Sequence, residues 1–253
     1  MLNFKPDACI SDMDPLVSLM GFNHNIPVIS FDNQHSLTNL NIQIPNKFLK
    51  EFIITKTYIK KILIRRDFTI ITSFSNEDIL KKNTFIVPLV IRKEVLNIKP
   101  EKTEKILVYF SGKDKTKLKI LKKISKNFLV YGFDIEKTEK NLKFKKNKDF
   151  LEDLGKCKAI IATAGFSLIS EALYLKKPYL ALPLKNHLEQ YLNAIFLRNN
   201  SFGEFSEKLS KKDVDSFLSN LPKYNKNLKK YNFNNEEVFK TFDKVLKKIK
   251  SYH

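Results

Sequence analysis

The sequence contains no tryptophan, two cysteines and four arginines in 253 residues, and acidic side chains are outnumbered by basic ones, 27 to 46. Each shortage excludes something. Cys9 and Cys157 lie far apart in segments that read as buried, so they suggest a reducing compartment and rule out a disulfide framework. No run approaches the ~18 consecutive apolar residues of a membrane span, and no signal-peptide pattern opens the chain, so the expected location is cytoplasmic, touching a membrane at most peripherally from that side. Neither a helix-turn-helix nor a zinc or aromatic stacking module can be read off, which argues against nucleic acid as the partner. An arginine shortage also removes the usual bidentate readers of phosphates and bases.

What is present is lysine. The formal net charge is +19 at a sequence pI near 9.7, so partners should be anionic. Lysine suits diffuse attraction to an anionic surface such as an inner-leaflet membrane. An alternative is a compositional habit of the source, because Lys, Asn, Ile and Phe are all abundant. A hydrophobic content of 43% is ordinary, and the length fits one large domain or two modest ones.

Along the chain, short apolar runs alternate with helical patterns. Ala8 to Ile10, Ile26 to Ser30, Phe68 to Ser73 and Thr84 to Ile91 read as strands, with a helix from about Pro45 to Ile64 and a short one at Asn76 to Lys81. Strands apolar on both faces belong to a parallel sheet covered by helices. Pro88, Pro100 and the charged run Lys99 to Lys105 mark a linker, which divides the chain into a partial N-terminal domain over residues 1–97 and a second domain over 98–205. A fresh series starts at Ile106 to Phe110, followed by Ser111-Gly112-Lys113, a turn that could cradle a phosphate or merely reverse the chain. Residues 206–253 read as a tail of two or three helices. In its last helix Val238, Phe239, Phe242, Val245, Leu246 and Ile249 share one face and lysines crowd the other, a pattern for lying on a membrane or packing on the domain. The fold class expected is α/β, doubly wound.

The stretch Ala159 to Ala194 carries the chemistry. An apolar strand turns at Gly165 into a helix, a second strand ends at Pro183, and another helix follows. Ser167 is a candidate N-cap, and Gly165 permits close backbone approach, so the N–H groups of Phe166, Ser167 and Leu168 can converge on a diphosphate. Glu171, one turn further, can accept both hydroxyls of a ribose, or it partners the helix dipole. In the loop Leu184 to Gln190, which includes His187, Glu189 and Gln190 offer acceptors and a donor for sugar hydroxyls at the same sheet edge. The loop Phe31-Asp32-Asn33-Gln34-His35 follows a strand's carboxyl end, where ligand-facing groups gather, though Asp and Asn also make turns there.

The run from Phe150-Leu151-Glu152-Asp153-Leu154 through AGFSLISEALYLKKPYLALPL to EQYLNA resembles the donor half of inverting glycosyltransferases of the GT-B fold. It is similar to the lipid-linked N-acetylglucosamine transferase family of peptidoglycan synthesis and to its uncharacterised archaeal and bacterial relatives. Residues 4–35, with KPDACISDMDPL and IPVISFDNQH, resemble the end of that family's acceptor domain. The resemblance implies two Rossmann-like domains, the first truncated, and a helical tail. It implies a nucleotide-sugar donor, a UDP-sugar, with Glu171 on the ribose, Gly165, Phe166, Ser167 and Leu168 on the diphosphate, and Leu151 at the uracil. Glu189 and Gln190, beside His187, would hold the donor sugar, while Asn33, Gln34 and His35 would face the cleft from the other domain.

No cofactor or metal ion is implied, because helix N–H groups neutralise the leaving diphosphate. The general base would come from Asp12, Asp14 or His35. The family's Gly-rich opening loop with its His has no counterpart, so the chain is expected to be shortened or split, or to be a donor-binding subunit whose missing half a second chain supplies. A nucleotide-sugar 2-epimerase shares the architecture. The acceptor would be lipid-linked or a polysaccharide, and a peripheral site on an anionic membrane would suit the charge.

Overall fold

The structure is a computed structural model that describes residues 4, 6–74, 77–101, 103–110, 115–231 and 235–251. The Ser111-Gly112-Lys113 turn therefore lies outside the described residues. Two compact units form, Met1–Val90 with Phe233–His253, and Ile91–Asn232. The division comes seven residues before the sequence-based boundary at 97, and the end of the chain returns to the first unit instead of forming a separate tail.

In the first unit, β1 (Cys9–Ser11), α1 (Pro15–Asn23), β2 (Val28–Asp32), α2 (Ser36–Asn39), α3 (Leu49–Ile62), β3 (Phe68–Thr72) and β4 (Thr84–Val87) follow one another. The strands pair in sequence order, β1-β2-β3-β4, all parallel. Every residue of β3 is buried, as a strand covered on both faces requires. Asp14 caps α1 by accepting the Leu16 N–H, and Pro15 in the first turn gives up no needed donor. The helix expected at 76–81 does not form among the described residues; Ile79 bridges to Leu40 instead.

The second unit contains α4 (Lys93–Leu96), β5 (Ile106–Tyr109), α5 (Lys115–Leu121), β6 (Phe128–Tyr131), β7 (Lys137–Glu139), β8 (Leu142–Phe144) and α6 (Phe150–Lys156). It continues with β9 (Ala159–Ala162), α7 (Phe166–Tyr174), β10 (Tyr179–Ala181), α8 (Leu188–Asn199), β11 (Gly203–Phe205), α9 (Lys211–Ser219) and α10 (Leu221–Lys230). Its seven strands run in the order β11-β10-β9-β5-β6-β8-β7. Among the described residues only the edge strand β7 is antiparallel, a hairpin with β8. Val108, Val130, Ile161 and Leu180 bury against Phe217 and Tyr224 of α9 and α10, so the start of the expected tail is core of this unit.

The last helix, α11 (Glu236–Lys250), buries Val238, Val245 and Ile249 on Ile29, Phe68, Ile70 and Val87 of the first sheet. Phe242 meets Phe31 edge-on at 5.0 Å. Part of its apolar face is thus occupied by protein, while Phe239 (68%) and Leu246 (38%) stay exposed and the lysines point outward. No helix among the described residues is long and apolar enough to cross a membrane.

Candidate functional site

Strand order locates the site. Chain order reverses between β5 and β9, the adjacent central strands of the second sheet. From β5 the chain crosses to β6 on one side, and from β9 it crosses to β10 on the other. Right-handed crossovers then put α5 and α7 on opposite faces, opening a crevice at the carboxyl ends of β5 and β9. The turn Thr163-Ala164-Gly165 sits at that switch point. Two buried side chains hold its carbonyls inward: the Tyr179 hydroxyl donates to Thr163 O at 2.7 Å and Asn193 Nδ2 to Ala164 O at 3.1 Å.

Gly165, not Ser167, is the N-cap of α7, with extended φ −70 and ψ 137 and no side-chain cap. The glycine is required neither by a left-handed backbone nor by packing, since a Cβ there would meet nothing within 4 Å. Open space in front of a helix start without a side-chain cap is a place for an anion. Ser167 and Leu168 display first-turn N–H groups that find no partner among the described residues. Phe166 completes this turn, half-buried.

Glu171 lies beyond the first turn of α7, which removes the helix-dipole explanation for its charge. Its carboxylate is held in a fork by Arg92: Nε to Oε1 at 2.7 Å and Nη2 to Oε2 at 3.1 Å, with side-chain exposures of 48% for Arg92 and 10% for Glu171. A carboxylate has about four lone-pair sites, so two remain for hydroxyl donors after the fork is made. Leu151, in the first turn of α6, is half-buried. In the second loop, Asn186 takes a left-handed φ of 55 and His187 caps α8, its Nδ1 accepting the Gln190 N–H at 3.5 Å. Gln190 Oε1 accepts the Leu184 N–H at 3.0 Å, so its amide group closes the loop and keeps only its NH2 for a ligand. Glu189 occupies the first turn of α8 without an ion pair among the described residues.

In the first unit, Asp12 follows the carboxyl end of β1 and Asp32 is the last residue of the neighbouring parallel strand β2. Asp32 Oδ2 receives the Ser30 hydroxyl at 2.8 Å and His35 Nδ1 at 2.7 Å, while Oδ1 accepts the His35 N–H at 2.8 Å. His35 is wholly buried and its Nε2 has no partner among the described residues. Burial, and then the charge of Asp32, raise the pKa of Asp12 above the ordinary carboxylate value. Asp14 is committed to capping α1 at 2.8 Å. Asn33 Nδ2 donates to Thr72 O at 2.8 Å, and both Asn33 and Gln34 are half-buried.

Three groups escaped sequence reasoning. Arg92 is separated from Glu171 by most of the second unit in sequence, and Asp32 looked like one more turn residue. The third is the Asp153 carboxylate, which accepts from the Tyr131 hydroxyl and pairs with Lys145 at 2.6 Å beside Phe150. A scarcity of arginine was the one available signal, because Arg92, between Pro88 and Pro100, is one of only four arginines in a lysine-rich chain. Among the described residues no group of three or more His, Cys, Asp or Glu side chains could hold a metal ion.

Comparison with known proteins bears on the family and the fold. The family described as Glycosyl transferase family 1 matches residues 1–222. A search of curated protein sequences finds no match. Among solved structures, Phytolacca americana UGT2 complexed with UDP-2fluoro-glucose and pterostilbene superposes with TM-score 0.72 at 11% identity, covering 98% of this chain and 78% of that one. The Acinetobacter baumannii MurG structure gives 0.62 at 14% identity, over 99% and 75%. The spinosyn forosaminyltransferase SpnP gives 0.64 at 12%, over 95% and 76%. The likeness shows the shared fold, GT-B.

Proposed function

The chain belongs to glycosyl transferase family 1, and on that premise we propose that it moves a sugar from a UDP-sugar donor to an acceptor hydroxyl with inversion at the anomeric carbon. The observation that carries this reading is the α7 start at the strand-order switch, with its open glycine and a forked carboxylate one turn beyond. The first-turn N–H groups of α7 take the diphosphate, Glu171 accepts the ribose hydroxyls while Arg92 fixes its rotamer, and Leu151 borders the uracil. Glu189, the Gln190 NH2 group and His187 are assigned to the donor sugar in this reading.

Of the three base candidates, Asp12 is favoured. Asp14 is a helix cap, and the His35 ring is sealed in the protein, where with Asp32 it fixes the loop at residues 33–35. Asp12 is partly buried but reaches solvent, and its proton affinity is raised, both of which suit a group that removes a hydroxyl proton. In the transfer, Asp12 takes the proton and the acceptor oxygen bonds to the anomeric carbon. The bond to the nucleoside diphosphate breaks, and its charge develops against the N–H groups of α7. A metal ion is not needed for that stabilisation. A lipid-linked acceptor suits the +19 charge and a peripheral position on an anionic membrane.

Equilibrium binding of UDP-sugars to the full chain tests the donor site. Glu171→Ala should weaken binding by about 10-fold or more, the value of lost charged hydrogen bonds, and unchanged affinity would remove the ribose role. Asp12→Asn should lower kcat by about 10²–10⁴-fold with donor affinity retained, and activity should survive EDTA.

A second reading, that activity needs a partner polypeptide, has its own observation. α1 buries only Ser18 and Gly21, while Leu16 (68%), Leu19 (38%) and Phe22 (58%) stay exposed beside Ile10 (56%) of the edge strand β1. A helix apolar on its outer side suits a further protein layer. Turnover by the purified chain alone would reject this reading.

A further inference from the structure

A second cationic feature lies in the first unit, at the amino ends of its strands. Lys60, Arg66, Lys81 and Lys82 converge on a cavity of about 390 Å³, whose wall also includes Asn39 and Thr69. Asp67 borders it too, but its carboxylate is already taken by Arg65 Nε at 2.9 Å and by the Val28 N–H at 2.8 Å. None of the four cations forms an ion pair among the described residues.

Ordinary structural duties account for little of this charge. Lys60 occupies the last turn of α3, where a helix dipole favours one cation. Arg66 spends one N–H on Leu63 O at 2.8 Å, which fixes its guanidinium and leaves the remaining donors. Lys81 and Lys82 belong to no helix. Burial first, then the charges of Arg66, Lys60 and Lys56, lower the pKa of Lys81. A chain that gathers like charges against their repulsion, around a polar cavity of small-ligand size, gains from an anion that neutralises them. Asn39 is oriented for such a role by hydrogen bonds of 2.9 Å to Thr84 and from Thr38.

We infer that this cavity binds a phosphate-bearing group, as a second anion site separate from the diphosphate site at α7. Its ligand is a free phosphate or diphosphate compound or the phosphate of a lipid headgroup, which share one recognition chemistry.

Calorimetric titration of the full chain with inorganic pyrophosphate, in the presence of saturating UDP, tests the inference. In a parallel arm the chain is sedimented with phosphatidylcholine vesicles containing phosphatidate. Lys81→Gln combined with Lys82→Gln should weaken binding by about tenfold or more without lowering the thermal midpoint, since both side chains reach solvent. Lys229→Gln with Lys230→Gln, on exposed sites of α10, is the control for diffuse charge. Pyrophosphate binding lost in the first pair and kept in the control supports a site for soluble anions. Vesicle binding alone with the same selectivity supports the lipid source. The inference is overturned if neither probe binds, if the first pair binds as tightly as the native chain, or if the control loses as much.

Discussion

At Asp12 two effects act in one direction. Partial burial and the neighbouring Asp32 both favour the protonated carboxyl, so folding raises its proton affinity. A carboxylate shifted upward costs stability once it ionises in the folded state, and that cost disappears when the pH falls below the unfolded value near ~4. Asp12→Asn should therefore raise the thermal midpoint at neutral pH, with the difference shrinking to nothing in acid. A pH series of melting curves checks this, and a lowered midpoint at pH 7 would contradict the cause given. On its proposed role as the base, the same variant should lose turnover, so one substitution is expected to stabilise the protein while disabling it. Cys157 shows the opposite use of burial. Its thiol is pushed up to about 12 and donates to Leu154 O at 3.3 Å, which makes it an inert core residue.

At the scale of elements, the start of α7 depends on what holds the turn before it. Tyr179 and Asn193, from β10 and α8, draw the Thr163 and Ala164 carbonyls inward. Gly165→Ala probes the resulting space. The native φ of −70 accepts alanine, and open surroundings accept its methyl group. Loss of a tolerated cap residue and reduced freedom of the unfolded chain oppose each other, so stability should change by less than about 1 kcal/mol. A methyl group in the path of the proposed diphosphate should still weaken UDP binding by about 10- to 100-fold, the cost of ~1–3 kcal/mol of overpacking. Calorimetry with UDP, paired with a melting curve, separates the two effects. Equal affinity in the variant would mean that the ligand does not approach this turn.

For the whole molecule, the excess of lysine is a field as well as a set of contacts. A chain of net charge +19 attracts an anionic nucleotide before any specific contact forms. Stopped-flow association of UDP should slow by about tenfold between low and physiological salt, with a much smaller change in dissociation. A dissociation rate that carried the whole salt effect would assign it to contacts in the site. The position of α11 matters at this scale too: it returns to the first unit and seals Ile29, Phe68 and Ile70, so its basic face is presented by a helix already anchored in the core.

The sequence by itself determined the alternation of strands and helices, the parallel sheets and the turn at Gly165, because apolar runs, prolines and glycines act over a few residues. It also brought Glu171 to attention, and the SEALYLKKP stretch pointed to the family. Only the tertiary structure decided what lies beside what. Arg92 reaches Glu171, burial and then Asp32 raise the proton affinity of Asp12, the end of the chain splits between the two units, and Lys60, Arg66, Lys81 and Lys82 meet around one cavity. Each of these joins positions distant in sequence, and their energies depend on distance and burial, which local residue patterns do not encode.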